Sequence, residues 1–495
     1  MMKTVLGIDL GTQNIKALFY DYERRTTVAC ESAPLSLYQD DSGTAEQRAE
    51  WWIKALCDAL LKVPESVKQT VTAISVSGQQ HGFVPIDRSG EVLAPVKLWC
   101  DTSTEQECHA IMQAMGGVEK CIELTGNKIL AGYTASKVLA FKEKSPELYD
   151  QLETILLPHD YLNYWLSGEK CMEMGDASGT GFLDITNREW SEATLHAIDS
   201  TRDLRDCLPT LRIDNEVIGA VQASAAQETG LPIGTPIAIG GGDNMMGAIG
   251  TGNLSTGRAT VSMGTSGTVY AFSDKPIIDD NGNIAAFCSS NGGWLPLLCT
   301  MNCTVTTELF RSMLNVSIAD FDNTISAASA GSSGIITLPF FNGERTPNLP
   351  NAKGCVLGLD GQNTTRENLL RSGVEGATFS LKFGIDELAR LGLQTQELIL
   401  TGGGSKSAVW RQIAADIMGV EVKVLDQDEG AAFGAALQAL AAIENDGKLD
   451  NDYVSQHISF DESLGCEPSD TLQSVYQDAY EHYNQAIAAV KTLYV

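Results

Sequence analysis

Positive charge is what this chain has least of: 34 Lys and Arg stand against 63 Asp and Glu, a formal net charge of −29. A surface that acidic repels nucleic acid and anionic membranes, so neither is expected as a partner. ATP is not excluded by it, because backbone donors and a magnesium ion in a cleft outweigh a global field locally. Proline is scarce as well, 15 residues against 47 glycines, and with 43% hydrophobic residues this describes a turn-rich globular protein rather than a disordered one. No stretch approaches the roughly 20 uninterrupted apolar residues of a membrane helix. At the N-terminus Lys3 and a few apolar residues meet Asp9 before a signal-peptide core forms, so a cytoplasmic protein is expected. The twelve cysteines contain no C-x-x-C pair. Cys299 and Cys303 are spaced as one helical turn with no histidine nearby, and the set reads as reduced, mostly buried thiols. There is no G-x-x-x-x-G-K-[ST], which excludes a P-loop, and no H-E-x-x-H. No G-x-S-x-G stands in a strand–turn–helix setting, and the glycines from Gly240 to Gly252 imitate a dinucleotide fingerprint only by their number.

What is present is one device used twice. Val5 to Leu10 meets Gly11-Thr12 and resumes as Ile15 to Tyr20; Ala259 to Met263 meets Gly264-Thr265 and resumes as Thr268 to Phe272. Each is an apolar, β-branched run broken by a tight turn that offers backbone N–H groups and a Thr hydroxyl, a small anion-binding concavity. Two such turns facing one another across a cleft suit the phosphates of a nucleotide.

At 495 residues the chain exceeds one core, and the restart of the hairpin pattern predicts two similar α/β domains around mixed sheets, residues 1–245 and 246–495, with a ligand cleft between them. The first carries strands at 5–10, 15–20, 26–32 and 71–77, a helix over 45–61 and a mainly helical stretch over 116–199. A strand at 237–239 runs into Gly240-Gly241-Gly242-Asp243, and a helix starts near Met245. The second carries the hairpin at Gly264, a strand over 293–298, helices over 304–314 and 366–391, and strands at 335–341, 397–401 and 420–424. Helices are also expected through Trp410 to Met418 and from Glu429 to Ala442, the latter packed through its glycines and alanines.

Asp9, at a strand end before a Gly-Thr turn, either caps its own turn or holds a magnesium ion beside a phosphate; the matching turn at Gly264-Thr265 favours the second. Asp243 follows three glycines at a helix start. It is either a capping carboxylate or a general base that a substrate hydroxyl can approach closely. Phosphoryl transfer depends otherwise on positioning and charge neutralisation, so one carboxylate, a metal and donor loops suffice. Gln79-Gln80-His81, between Gly78 and Gly82 at a strand exit, offers amide and imidazole groups suited to a polyol. Gly402-Gly403-Gly404-Ser405 is either a strand-to-helix turn capped by Ser405 or Ser407, or a flat backbone bed for adenosine.

These pieces, in this order, resemble the FGGY carbohydrate kinases over almost the full length. The likeness is carried by Gly7-Ile8-Asp9-Leu10-Gly11-Thr12, Ser77-Gly78-Gln79-Gln80-His81-Gly82, Leu157-Pro158-His159-Asp160-Tyr161-Leu162 and Asp176-Ala177-Ser178-Gly179-Thr180. Gly241-Gly242-Asp243-Asn244, Met263-Gly264-Thr265-Ser266-Gly267, Gly343-Glu344-Arg345-Thr346-Pro347 and Glu429 to Ala436 continue it. The resemblance implies an α/β fold of two ribonuclease-H-like domains of the actin/Hsp70/sugar-kinase type with an interdomain cleft, the first domain binding sugar and the second nucleotide. It implies Asp243 as catalytic base, with Gln80, His81, Asp243 and Asn244 on the sugar. Asp9, Gly11, Thr12, Gly264 and Thr265 then serve the phosphates, Asp9 also serves Mg2+, and Gly402, Gly403 and Gly404 serve adenosine. The implied reaction is phosphorylation of D-xylulose by ATP, and a homodimer is the implied assembly. The chain departs from the family where His159 replaces a frequent Lys and Gln80 a frequent Met; because Gln80 lies at the implied sugar site, a kinase of another pentulose, a polyol or gluconate is the alternative. A chaperone-like or cytoskeletal ATPase of the same superfamily is the alternative of another class; the segment after Ala442 is short for a peptide-binding region.

Overall fold

Burial on both faces marks the strand that organises the first half. In Thr4–Leu10 (β1) every residue but Asp9 is buried, the pattern of a strand covered on either side rather than one with a wet face. A computed structural model describes residues 2–212, 215–427 and 430–494 of the chain. By internal contacts it separates into two compact units, residues 1–254, 273–295 and 429–458 in the first and 255–272, 296–428 and 459–495 in the second.

In the first unit β1 pairs antiparallel with Asn14–Asp21 (β2), which pairs with Thr26–Pro34 (β3). On its other side β1 runs parallel to Val71–Gly78 (β4), Leu10 lying opposite Gly78. Val217–Ala220 (β5) and Pro236–Ala238 (β6) complete the order β5-β6-β4-β1-β2-β3, and the two-residue strand Gly241–Gly242 (β7) adds to β4 in parallel. The helix Ala49–Leu60 (α1) buries Trp52, Leu56 and Leu60 against this sheet. It starts later than the 45 its spacing predicts. Residues Ala45–Gln47 instead form a short strand, because the Gln47 amide donates to the Thr12 and Ser36 carbonyls while its oxygen accepts from Trp52. The stretch 116–199 is mainly helical, as expected, with short strands set between its helices. Helices such as Thr134–Lys144 (α2) and Pro158–Ser167 (α3) alternate with strands of two or three residues, Thr154–Leu156 and Cys171–Glu173 among them.

The second unit repeats the plan. Arg258–Met263 (β8) pairs antiparallel with Gly267–Ala271 (β9), which pairs with Leu297–Thr300 (β10); β8 also runs parallel to Glu397–Thr401 (β11), and β11 to Glu421–Lys423 (β12). The strand expected over 293–298 starts only at Leu297, because residues 293–295 belong to the first unit, where Gly292, at φ +88, turns the chain and Trp294 bridges back to Ser273 and Cys288. Helices Thr304–Met313, Arg366–Arg390 and Ala408–Met418 cover the sheet, the last capped by the Ser407 hydroxyl accepting from Trp410 N–H. Cys299 lies on β10 and Cys303 precedes a helix, so the two do not share a helical turn; all twelve cysteines are free thiols.

Two helices of the first unit carry its glycine-rich packing. Asp243–Gly250 (α4) begins directly after β7, and Gly430–Glu444 (α5) lies across β1, β4 and α4. Glu429, the expected first residue of that second helix, lies outside the described residues. Glycine makes this packing fit: a Cβ at Gly7 would stand 1.9 Å from the Ala432 carbonyl, and one at Gly434 would stand 1.7 Å from that of Met246.

Candidate functional site

Parallel neighbours end at the same edge of a sheet, and ligands in open α/β sheets gather at that carboxyl end. In the first unit β1, β4 and β7 end there together, and each carries a predicted site residue at or just past its end. Asp9 is the second-last residue of β1; Gln79, Gln80 and His81 come after β4; Asp243 comes after β7.

Asp243 opens α4, where the unpaired N–H groups of the first turn favour an anion. One of its oxygens, Oδ1, accepts from the Asn244 N–H at 2.8 Å and from the Asn244 amide at 3.0 Å. The same Asn244 amide donates to Gln80 Oε1 at 2.8 Å, so Gln80, Asn244 and Asp243 form one connected set. Burial, and then the nearby Asp9 and Asp176 carboxylates, push the Asp243 carboxyl up to about 7. The side chain nevertheless keeps some contact with solvent. Asp9 accepts from the Ser77 hydroxyl at 2.9 Å through Oδ1 and is itself partly exposed.

His81 sits at φ +63, a left-handed conformation that costs a non-glycine residue roughly 1 kcal/mol or more and persists only where surroundings over-determine it. The surroundings do. Its carbonyl accepts from Lys137 Nζ at 2.7 Å and from the Thr134 hydroxyl at 3.1 Å. The ring packs edge-on between Tyr133 and Phe287. A side chain at Gly179 would collide with that ring, its Cβ 1.7 Å from Cε1. Lys137 is fully buried, its ammonium shared by the His81 and Gly132 carbonyls, and burial pulls it down to about 7.

Gly11 closes its turn by donating to the Asn14 carbonyl. The Thr12 hydroxyl donates to Gln79 Oε1 at 3.0 Å and accepts from Trp99 at 2.9 Å, so it fastens its own loop to β4. In the second unit Gly264-Thr265 and Gly402-Gly403-Gly404 also come together, at the ends of the parallel pair β8 and β11, with Ser262 opposite Thr401. Thr265 is exposed, and its carbonyl with that of Gly264 accepts from the first residues of the following helix. Gly402 has φ +83, and a Cβ there would lie 2.9 Å from the Met263 backbone, so only glycine fits.

The roles of four side chains of the first unit escape a reading of the sequence. Glu173 and Asp176 are buried beneath the site, and Glu173 accepts from the Gly175 and Asp176 N–H groups and the Ser290 hydroxyl. Burial pushes Glu173 up to about 7. Lys137 is the third. Gln438 on α5 is the fourth: its amide clasps Gly240 from both sides, donating to the carbonyl and accepting from the N–H at 2.9 Å each, and its oxygen also accepts from Ser75. It thereby fixes the glycine run that delivers Asp243. A lone glutamine in the otherwise apolar Ala435 to Ala442 was the available signal. No group of three or more metal-ligating side chains occurs among the described residues, and no helix of the described residues is long and apolar enough to cross a membrane.

Known proteins share both the sequence and the architecture. Residues 4–250 match the N-terminal domain of the FGGY family of carbohydrate kinases and residues 259–443 its C-terminal domain. A xylulose kinase of Haemophilus influenzae is 42% identical over 485 residues, 97% of this chain and 98% of that protein. The crystal structure of a xylulose kinase from Bifidobacterium adolescentis superposes with TM-score 0.82 at 28% identity over 98% of this chain and 99% of the other. A gluconate kinase from Lactobacillus acidophilus shares the fold at TM-score 0.90 and 23% identity, covering 100% and 99%. The fold is of the actin/Hsp70/sugar-kinase type, and the chain belongs to the FGGY family of carbohydrate kinases.

Proposed function

We propose that this kinase phosphorylates D-xylulose with ATP, and that Asp243 is its general base. The observation that carries the reading is the setting of Asp243: a carboxylate at a helix start, preceded by side-chain-free Gly241 and Gly242, fixed by Asn244 and raised to about 7. A base is most effective when its pKa lies near the working pH, and this one is placed there by burial and two like charges. The Asp243 carboxylate takes the proton of a sugar hydroxyl as that oxygen attacks the γ-phosphorus in line, and ADP leaves. Gln80, Asn244 and His81 hold the remaining hydroxyls. The acidic surroundings suit this substrate, because a neutral sugar brings no charge to repel.

In the first unit Thr12 receives phosphate through its backbone N–H, and Gly11, whose own N–H is spent on the Asn14 carbonyl, shapes that turn; in the second unit Gly264 and Thr265 receive phosphate and Gly402, Gly403 and Gly404 receive adenosine. Asp9, partly exposed and fastened by Ser77, fits a hard cation and would hold Mg2+ or its waters. Magnesium supplies neutralisation of phosphate charge when bound. The relatives named as xylulose kinases support D-xylulose over other polyols. ATP as donor suits a cytoplasmic enzyme, and sedimentation would test the homodimer. A panel of pentuloses, polyols and gluconate with coupled ADP detection tests the substrate; a preference for L-ribulose or glycerol overturns it. Asp243→Ala should lower kcat by about 10³ or more while ATP still binds, and an active Asp243→Ala enzyme would remove the base from the scheme.

A further inference from the structure

We infer that His159 is a positioning residue for the sugar site, fixing His81 through Asp176; this rests on the reading of His81 as a sugar contact. His159 is the second residue of α3 and fully buried, directly beneath both turns that carry the site. A Cβ at Gly78 would meet the His159 Cβ and backbone nitrogen at 2.8 and 2.9 Å, and one at Gly240 would come within 3.2 Å of its Cδ2. Glycine at these two positions therefore lets one imidazole lie under the turn leading to Gln80-His81 and the turn leading to Asp243.

The ring is held between two buried carboxylates. Nδ1 is 3.0 Å from Asp176 Oδ2 in a hydrogen bond, and Nε2 is 2.9 Å from Asp160 Oδ1, an ion-pair contact out of line for a hydrogen bond. The second Asp176 oxygen faces His81, 3.4 Å from its backbone nitrogen, which donates to it, and 3.7 Å from its ring Nδ1. So the chain of contacts runs from Asp160 through His159 and Asp176 to the amide and ring of a residue at φ +63. Burial opposes a charge on His159, but Asp160 and Asp176 overcome it and hold the imidazole well above its ordinary pKa. The imidazolium in turn lowers Asp176, whose burial pulls the other way.

A buried pair of this kind is weak as a source of stability, since replacing such pairs with apolar groups is often neutral. Its consequence here is directional. An ionised Asp176 accepts from the His81 N–H; a protonated one turns donor, and that hydrogen bond is weakened. The titratable groups facing the His159 ring are Asp160 on α3 and Asp176 and Glu173 from residues 173–176, and those facing Asp176 in turn include His81 after β4 and Asp243 at the head of α4. All but His81 are carboxylates, so without the imidazolium Asp176 gains its proton at higher pH.

The test compares His159→Gln and His159→Lys in the full chain, with kcat and KM for D-xylulose and for ATP measured from about pH 6 to about pH 8.5. His159→Gln should raise the D-xylulose KM about tenfold near pH 6 and less near pH 8, with the ATP KM within about twofold of wild type. His159→Lys, which keeps a cation there, should restore most of the lost affinity across that range. An unchanged D-xylulose KM in His159→Gln near pH 6, or equal losses in Gln and Lys variants at every pH, would overturn the inference. If His159→Gln does not fold, Asp176→Asn gives the second measurement: a raised sugar KM without the acid-side dependence is expected, and a wild-type KM is fatal. Wild-type turnover of another polyol in place of D-xylulose would overturn the substrate reading alone, because the same comparison is read on whichever polyol is turned over.

Discussion

At Asp243 the burial that suits the proposed base also weakens the fold, and the two effects separate by pH. The folded state holds the Asp243 proton up to about 7, whereas an unfolded carboxyl gives it up near 4. Between those values the folded chain binds more protons than the unfolded one, so this group's contribution to stability falls as pH rises through the window and is fully lost above it. Asp243→Asn removes the charge and keeps an oxygen to accept from Asn244. In urea unfolding the Asn variant should match wild type near pH 4 and gain about 2 kcal/mol above about pH 7.5, a figure reduced for the solvent that reaches this carboxylate. An advantage that is constant with pH would mean that Asp243 is not ionised against resistance. Lys137 shows the same tension with opposite sign: a buried ammonium hydrogen-bonded to two carbonyls rather than to a carboxylate is costly, and it stands where His81 has to be held.

Among the elements, α5 and α4 cross on glycine, and the crossing explains both what the sequence disclosed and what it withheld. The small-residue rhythm of Gly430, Ala431, Ala432, Gly434, Ala435 and Ala436 announces a helix packed closely on something, and the two hairpins are legible from apolar runs meeting Gly-Thr. The partners are not legible. Gly434 lies on Met246 and Gln438 on Gly240, contacts set by tertiary packing across nearly half the chain, to which local periodicity is blind. The burial of Lys137 and the pairing of His159 with Asp176 were hidden for the same reason, whereas Asp9, Gln80, His81 and Asp243 stood at strand ends that local pattern does reveal. Gly434→Ala should push α4 and α5 apart, since the new methyl would meet backbone atoms that cannot swing away, at a cost of about 3 kcal/mol or more. Gly361→Ala, where a Cβ meets nothing within 4 Å, is the matched control and should leave the unfolding midpoint nearly unchanged. Equal midpoints for the two variants would show that the crossing tolerates a wider helix separation.

On the scale of the whole molecule, a net charge of −29 acts differently on the two substrates of the proposed reaction. A neutral sugar is indifferent to it, but ATP approaches against a repulsive field until the donors of its proposed site, the glycine turns, take hold. Salt weakens that field: the Debye length shrinks from about 30 Å at about 0.01 M to about 8 Å at about 0.15 M, while contacts inside the site are screened far less. Raising KCl over that range at constant free Mg2+ should therefore lower the ATP KM by about twofold to threefold and leave the D-xylulose KM unchanged. The direction is diagnostic. Were ATP drawn in mainly by exposed cations near the glycine turns, salt would raise its KM instead, and a rise would show that local positive charge outweighs the acidic surface along the nucleotide's path. A parallel fall in both KM values would point to a general effect of salt on the protein rather than to repulsion of the anionic substrate.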